Sequence, residues 1–252
     1  MTQSSATHHR HVAIIPGRAG SKGLPGKNRY LFGLTADFIH AAKFFDCVIV
    51  TSDDDMLLEL ARAEGFEAHH RAAELANDDA SIKQVFEDII ANGLVEPTDY
   101  LWLIFIPLVY KNVEDFLMAK SILDKNTPAS LCSFIPAQSH PLYCWRLDEN
   151  SGRMERYIDH DLYRRQDLPD AWEEYPYLCA IRADAVEGAN SCMIRNDTYP
   201  VTLDQHLAGQ MVDVDEVKDF KKWQQTHPLQ FQSWQDNLPE DATIHKLLKK
   251  KG

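Results

Sequence analysis

Ile14-Ile15-Pro16-Gly17-Arg18-Ala19-Gly20-Ser21-Lys22-Gly23-Leu24-Pro25-Gly26-Lys27-Asn28 is the stretch from which the rest of the chain is read. It begins as the end of a short apolar run, Val12 to Ile15, with the β-branched composition of a buried strand. It then becomes a loop with four glycines, two prolines, Arg18, Ser21, Lys22 and Lys27. Glycines let backbone N–H groups crowd round an anion, and the cations neutralise it. Open α/β sheets bind nucleotides where such a strand runs into its loop, outside the carboxyl ends of the strands. Two common phosphate loops do not fit. A Walker loop needs Ser or Thr after Gly-Lys, and Asn28 follows Lys27; the Gly-x-Gly-x-x-Gly fingerprint is absent.

At 252 residues the chain suits one core with an insertion better than two independent domains. A net charge of −12 argues against nucleic acid or an anionic membrane as partner, and makes the basic loop more telling. No run is long and apolar enough for a membrane helix, and the polar start, Met1 to His11, lacks the apolar core of a signal peptide. Five scattered cysteines fit reduced thiols, so a cytoplasmic protein is expected. His8, His9 and His11 read as part of a frayed terminus rather than a metal tract.

Further along, Ala36 to Phe45 has helical spacing, and Cys47 to Val50 reads as a second buried strand. Asp53-Asp54-Asp55 reads as a helix start capped by Ser52 or Asp53 rather than a metal site. The next helix ends at Gly65, Glu67 to His70 is an edge strand, and Ser81 caps a helix from Ile82 to Asn92. Leu101 to Ile106 is the most apolar strand and is expected at the sheet centre. A helix from Val113 to Leu123 and a strand from Ala129 to Ile135 follow. Residues 139–154 read as a hairpin turning at Asp148 to Gly152, and Tyr177 to Arg182 as a strand. Strand–helix alternation implies a mostly parallel sheet. Near the end, Asp213 and Asp215 lie two apart, which in a strand puts both carboxylates on one face, as two ligands of a hard cation require. A helix from Val217 to Gln225 precedes a mixed tail whose Lys249-Lys250-Lys251 reads as a solvated end.

The opening loop resembles the signature of the acylneuraminate cytidylyltransferases, the CMP-sialic acid synthetase family, which carry Pro-Ala-Arg-Gly-Gly-Ser-Lys-Gly-x-Pro-Gly-Lys-Asn after their first strand. Gly17 and Ala19 are the departures within that run. Arg71 to Ser81 resembles the family's Arg-Pro-x-Glu-Leu-Ala-x-Asp-x-Ala-Ser, Arg165 to Pro169 its Arg-Gln-Asp-Leu-Pro, and Met211 to Phe220 its closing Ile-Asp-Ile-Asp motif. The resemblance implies a three-layer, Rossmann-like nucleotide-diphospho-sugar transferase fold in the α/β class. In that reading 1–11 is a flexible terminus, 12–226 the cytidylyltransferase-like domain, about 137–174 an inserted hairpin-and-helix dimerisation lobe, and 227–252 a tail. The segment between Asn28 and Asp46 is shorter than in the family, so a trimmed first helix is expected.

The same resemblance implies transfer of CMP from CTP to an acidic 2-keto sugar by a Mg²⁺-dependent homodimer. Arg18, Lys22 and Asp213 would be catalytic. Arg18, Gly20, Ser21, Lys22, Lys27, Asn28, Arg71 and Ser81 would bind nucleotide; Lys111, Arg165 and Gln166 the sugar; Asp213 and Asp215 the metal. Three departures fall on the sugar side. The family's Gln-Pro-Thr-Ser-Pro-Leu-Arg loop is Phe105 to Lys111 here, the lysine of its His-Pro-x-Lys is Tyr143, and its Asn-Gly-Ala is Tyr175-Pro176-Tyr177. Two alternatives stay open: a relative that binds nucleotide without making a CMP-sugar, and a transferase for a different sugar acid.

Overall fold

Every residue of the first strand is buried, and its side chains alternate between two cores on opposite faces. The computed structural model describes residues 9–20, 23–77, 79–239, 242, 244 and 245. In chain order its elements begin with β1 (His11–Pro16), α1 (Lys27–Ala42), β2 (Cys47–Ser52), α2 (Asp55–Ala63) and β3 (Glu67–His70). Then come α3 (Ile82–Ala91), β4 (Tyr100–Leu103), α4 (Val113–Asn126), β5 (Ser130–Pro136), β6 (Trp145–Asp148) and β7 (Arg153–Arg156). The last are β8 (Trp172–Arg182), β9 (Tyr199–Thr202), α5 (Gln205–Gln210), α6 (Asp219–Thr226) and α7 (Pro228–Asp236).

Seven strands form one sheet in the order β3-β2-β1-β4-β8-β5-β9, and β6 and β7 pair as a separate hairpin. The β1–β2, β1–β4, β2–β3 and β5–β9 pairings are parallel; β8 runs antiparallel to both its neighbours. As expected, β4 is central and β3 lies at the edge. Ala13 and Ile15 point into a core shared with α1, α2, α4, α6 and α7. Val12 and Ile14 point the other way, onto α3 and the segment around Val186. A sheet buried on both faces is the three-layer arrangement that the continuous apolar strands demand.

The first helix corrects the sequence reading. It starts at Lys27, not Ala36, and runs through sixteen residues. Asn28, Tyr30, Gly33 and Thr35 are weak helix formers, but burial of Leu31, Phe32, Thr35 and Ala36 at helical spacing overrides their propensity. Gly26, at φ 73°, supplies the left-handed residue at its entry. Asp54, rather than Ser52 or Asp53, caps α2 by accepting from the Met56 and Leu57 amides. Ser81 caps α3 in a full capping box with Gln84, as its sequence position predicts.

The chain end also departs from expectation. Residues 228–236 are a helix, not a loose tail, and Phe231 and Trp234 are buried against Phe220 and Trp223 of α6. The Trp234 indole donates to the Tyr30 carbonyl of α1 at 2.8 Å. His11, read with the frayed terminus, is instead the first, fully buried residue of β1. Residues 1–8 and Lys249-Lys250-Lys251 lie outside the described residues.

Candidate functional site

A cavity of about 570 Å³ opens at the carboxyl ends of β1 and β4. Its wall brings together Arg18, Lys27, Asn28, Arg71, Asp213 and Asp215, residues that the sequence scatters over almost the whole chain. The loop after β1 is fixed from three sides. The Gly17 amide donates to the Thr51 carbonyl, the Ala19 amide to an Asp53 carboxylate oxygen at 2.8 Å, and the Asn28 side-chain amide to the Arg18 carbonyl at 3.0 Å. The acidic run at 53–55 therefore caps a helix, as the capping reading predicts, and also braces the loop, which that reading did not anticipate. Ser21 and Lys22, two of the expected phosphate ligands, lie outside the described residues.

Arg71, nearly enclosed, donates to the Thr51 carbonyl at 2.8 Å from the floor behind the loop. Burial pulls its pKa below the usual guanidinium value, partly offset by Asp53 and Asp88. The buried Lys27 ammonium pairs with Asp215, which ties the loop to the acidic segment. That contact is close: a Cβ on Gly23 would come 2.5 Å from the Asp215 carbonyl oxygen, so only glycine lets the two backbones meet.

Asp213 does not sit in a sheet strand. It forms a single antiparallel bridge with Leu108, flanked by Val109 N–H to Val212 O at 3.1 Å and Val214 N–H to Pro107 O at 2.9 Å. Both carboxylates still face the cavity. Asp213 stays exposed at the cleft, and partial desolvation with the like charge of Asp215 pushes its pKa up to about 6, opposed by Lys27 and Lys111. Two adjacent carboxylates, completed by nucleotide phosphate oxygens, form a donor set that suits Mg²⁺, which takes one or two protein carboxylates. Among the described residues no cluster of three metal-ligating side chains exists, so the protein alone offers only this pair.

The sugar-side expectations fare differently. Lys111 does not line the cavity; its ammonium turns inward to the Thr35 hydroxyl at 3.2 Å and to the Leu108 carbonyl, and burial lowers its pKa to about 7. Arg165 and Gln166 lie on a short turn of the inserted lobe, where Arg165 faces a second cavity of about 510 Å³ with His140 and Tyr143. Gly20 and Ser81 are also off the first cavity's wall, although Ala80 and Ile82 are on it. Phe105, Pro107, Leu108, Tyr175 and Pro176, which the sequence reading aligned with sugar-side motifs without giving any of them a role, all line the cavity. Their departure from the family pattern was the available signal.

A family model described as Cytidylyltransferase matches residues 12–96, which span β1 to the end of α3. The N-acylneuraminate cytidylyltransferase of Escherichia coli is 31% identical over 137 residues, covering 48% of this chain and 33% of that enzyme. The enzyme of the same name from Streptococcus agalactiae is 26% identical over 165 residues, covering 62% of this chain and 40% of its own length. Over these stretches the chain is similar to the acylneuraminate cytidylyltransferases. It spans well under half the length of these two curated relatives. A solved structure of CMP:2-keto-3-deoxy-manno-octonic acid synthetase complexed with CTP superposes with a TM-score of 0.60 at 13% identity, over 90% of this chain and 99% of that one. At that identity the likeness is one of fold. The sheet order and layering of this chain are those of the nucleotide-diphospho-sugar transferase fold.

Proposed function

We propose that the protein transfers a cytidylyl group from CTP to the anomeric hydroxyl of an acidic 2-keto sugar, with Mg²⁺ as cofactor. The observation that carries this reading is the convergence of Arg18, Lys27 and Arg71 with the Asp213–Asp215 pair across one cavity, in a chain of cytidylyltransferase ancestry. In this reading the acceptor oxygen forms a bond to the α-phosphorus and the bond from that phosphorus to the bridging oxygen breaks. The hydroxyl proton passes to water and pyrophosphate leaves. The protein's part is positioning and charge neutralisation, with no covalent intermediate on the chain. Arg18 and Lys22 would face the triphosphate, Arg71 and Asn28 would hold the nucleotide end of the loop, and Asp213 and Asp215 would hold Mg²⁺, which offsets charge on the leaving pyrophosphate.

The test is pyrophosphate release from CTP and Mg²⁺ with a panel of eight- and nine-carbon 2-keto acids. We expect release with at least one, and a loss on the order of a hundredfold or more in Asp213→Asn. Mg²⁺-dependent CTP binding with no release on any acid would favour the second reading, a nucleotide-binding relative without transferase activity, for which the altered 105–111 loop speaks.

A homodimer is proposed with it. Trp145, Leu147, Met154, Tyr157, Ile158 and Tyr163 are all exposed on the hairpin lobe, a concentration of apolar surface that isolated soluble chains rarely carry. Sedimentation of the full chain should give a dimer, and Leu147→Glu with Tyr157→Glu should shift it to monomer.

A further inference from the structure

Thr51, near the end of β2, is fully buried, so its hydroxyl must find its partners within the protein. The parallel register sets Thr51 opposite His69 of β3, and the Thr51 Oγ1 lies 3.0 Å from the His69 Nδ1. Arg71, two residues further on, reaches back to the same threonine. Its Nη2 donates to the Thr51 carbonyl at 2.8 Å and its Nε to the Thr51 hydroxyl at 3.4 Å. The carbonyl also accepts from the Gly17 amide at 3.0 Å. One buried threonine therefore holds both a cation of the cavity wall and the start of the loop after β1.

The direction of this chain of hydrogen bonds follows from its two ends. A guanidinium only donates, and an ionised carboxylate only accepts. His69 turns its Nε2 towards the Asp88 carboxylate of α3, 3.4 Å away, so the ring proton belongs on that nitrogen. Nδ1 is then an acceptor. It takes the Thr51 hydroxyl hydrogen and leaves the oxygen's lone pairs to the Arg71 Nε. Burial lowers the His69 pKa; Asp88 and Glu67 oppose the shift, and Arg71 and His70 add to it. The ring is thus neutral at neutral pH, as this direction requires. A proton on Nδ1 would instead turn the hydroxyl hydrogen away from the ring and towards the arginine, donor against donor.

We propose that His69 is a positioning residue of the nucleotide site: with its proton on Nε2 it fixes Thr51, and through Thr51 it holds Arg71 and the loop after β1 in the geometry that receives CTP. The inference rests on the cytidylyl-transfer reading for the presence of CTP in this cavity. His69 itself is off the cavity wall, so it acts only through its neighbours. Removing the acceptor of a buried hydroxyl releases the Arg71 side chain, and CTP affinity should fall by about tenfold.

The experiment reads Mg²⁺-dependent CTP affinity of the full chain by calorimetry, whether or not any acceptor turns over. Arg71→Ala and His69→Leu should each weaken binding by about tenfold, and the double variant should bind no more weakly than Arg71→Ala alone. His69→Asn, whose amide oxygen still accepts from Thr51, should return to within about threefold of the parent. A nitrogen–proton correlation spectrum of the parent protein should place the His69 proton on Nε2. These results support the role even where no sugar acid releases pyrophosphate. An unchanged affinity in His69→Leu, the same loss from it with and without Arg71, or a proton on Nδ1 overturns the role. If His69→Leu does not fold, the spectrum and a full loss of affinity in His69→Asn remain able to overturn it. Failure of the parent protein to bind CTP overturns the transfer reading and this inference with it.

Discussion

Asp213 is held above the ordinary carboxylate pKa of 3.8, at about 6, first by desolvation and then by Asp215. Because the folded value exceeds the unfolded one, the native state binds the extra proton between these pH values. The stability contributed by the protonated carboxyl is present at low pH and is lost as pH rises through about 6. Metal binding has the opposite sign, since the cation needs the ionised pair. Mg²⁺-dependent CTP affinity should therefore rise as pH is raised through about 6 and level off above it, read by calorimetry across that range. Asp213→Asn should flatten the profile and raise Tm at pH 7 while abolishing the metal dependence. A variant with unchanged pH dependence would remove Asp213 from this role. The pairing of Asp213 with Asp215 was legible from their spacing, and the structure places both on the cavity wall. Their support by a single bridge to Leu108 was not legible, because the bridge joins residues more than a hundred positions apart.

At the scale of elements, Ser81 separates two roles the sequence left together. It caps α3 but is off the cavity wall. Ser81→Ala should cost about 1 kcal/mol in urea unfolding with CTP affinity unchanged, and a matching loss of affinity would restore it to the nucleotide site. Gly23 is tested in the opposite way. A methyl there would strike the Asp215 carbonyl oxygen, which is backbone and cannot swing aside. Gly23→Ala should push the loop off the acidic segment and weaken Mg·CTP binding about tenfold or more, with a smaller effect on Tm. The strands were legible because β-branched runs such as Cys47–Ser52 carry a local signal. The first two turns of α1 were missed because Leu31 and Phe32 earn their helix only through burial in the tertiary core. Helix α7 was missed for the same reason: Phe231 and Trp234 anchor it only through the tertiary core, and its other apolar side chain, Leu229, is exposed.

For the whole molecule, the last described helix closes the first core. Trp234 packs on Phe220, Trp223 and Phe231 and bonds the Tyr30 carbonyl, while Gln230 holds the Val109 carbonyl of the loop after β4. Trp234→Ala should destabilise the protein by about 3–5 kcal/mol, seen as a lowered urea midpoint. A Gln230→Ala variant should instead leave global stability nearly intact and loosen the 105–111 loop, visible as faster amide hydrogen exchange there. The fold class was readable at this scale from strand–helix alternation. The closure was not, since nothing local in residues 228–236 announces a partner in α1. That closure bears on the order in which a ribosome delivers the chain. The nucleotide loop and α1 emerge well before the carboxylates that complete the site and the indole that seals α1. The cavity is therefore assembled only once α7 has been synthesised, and nascent chains stopped short of α7 should expose the apolar face of α1 to chaperones rather than bind nucleotide.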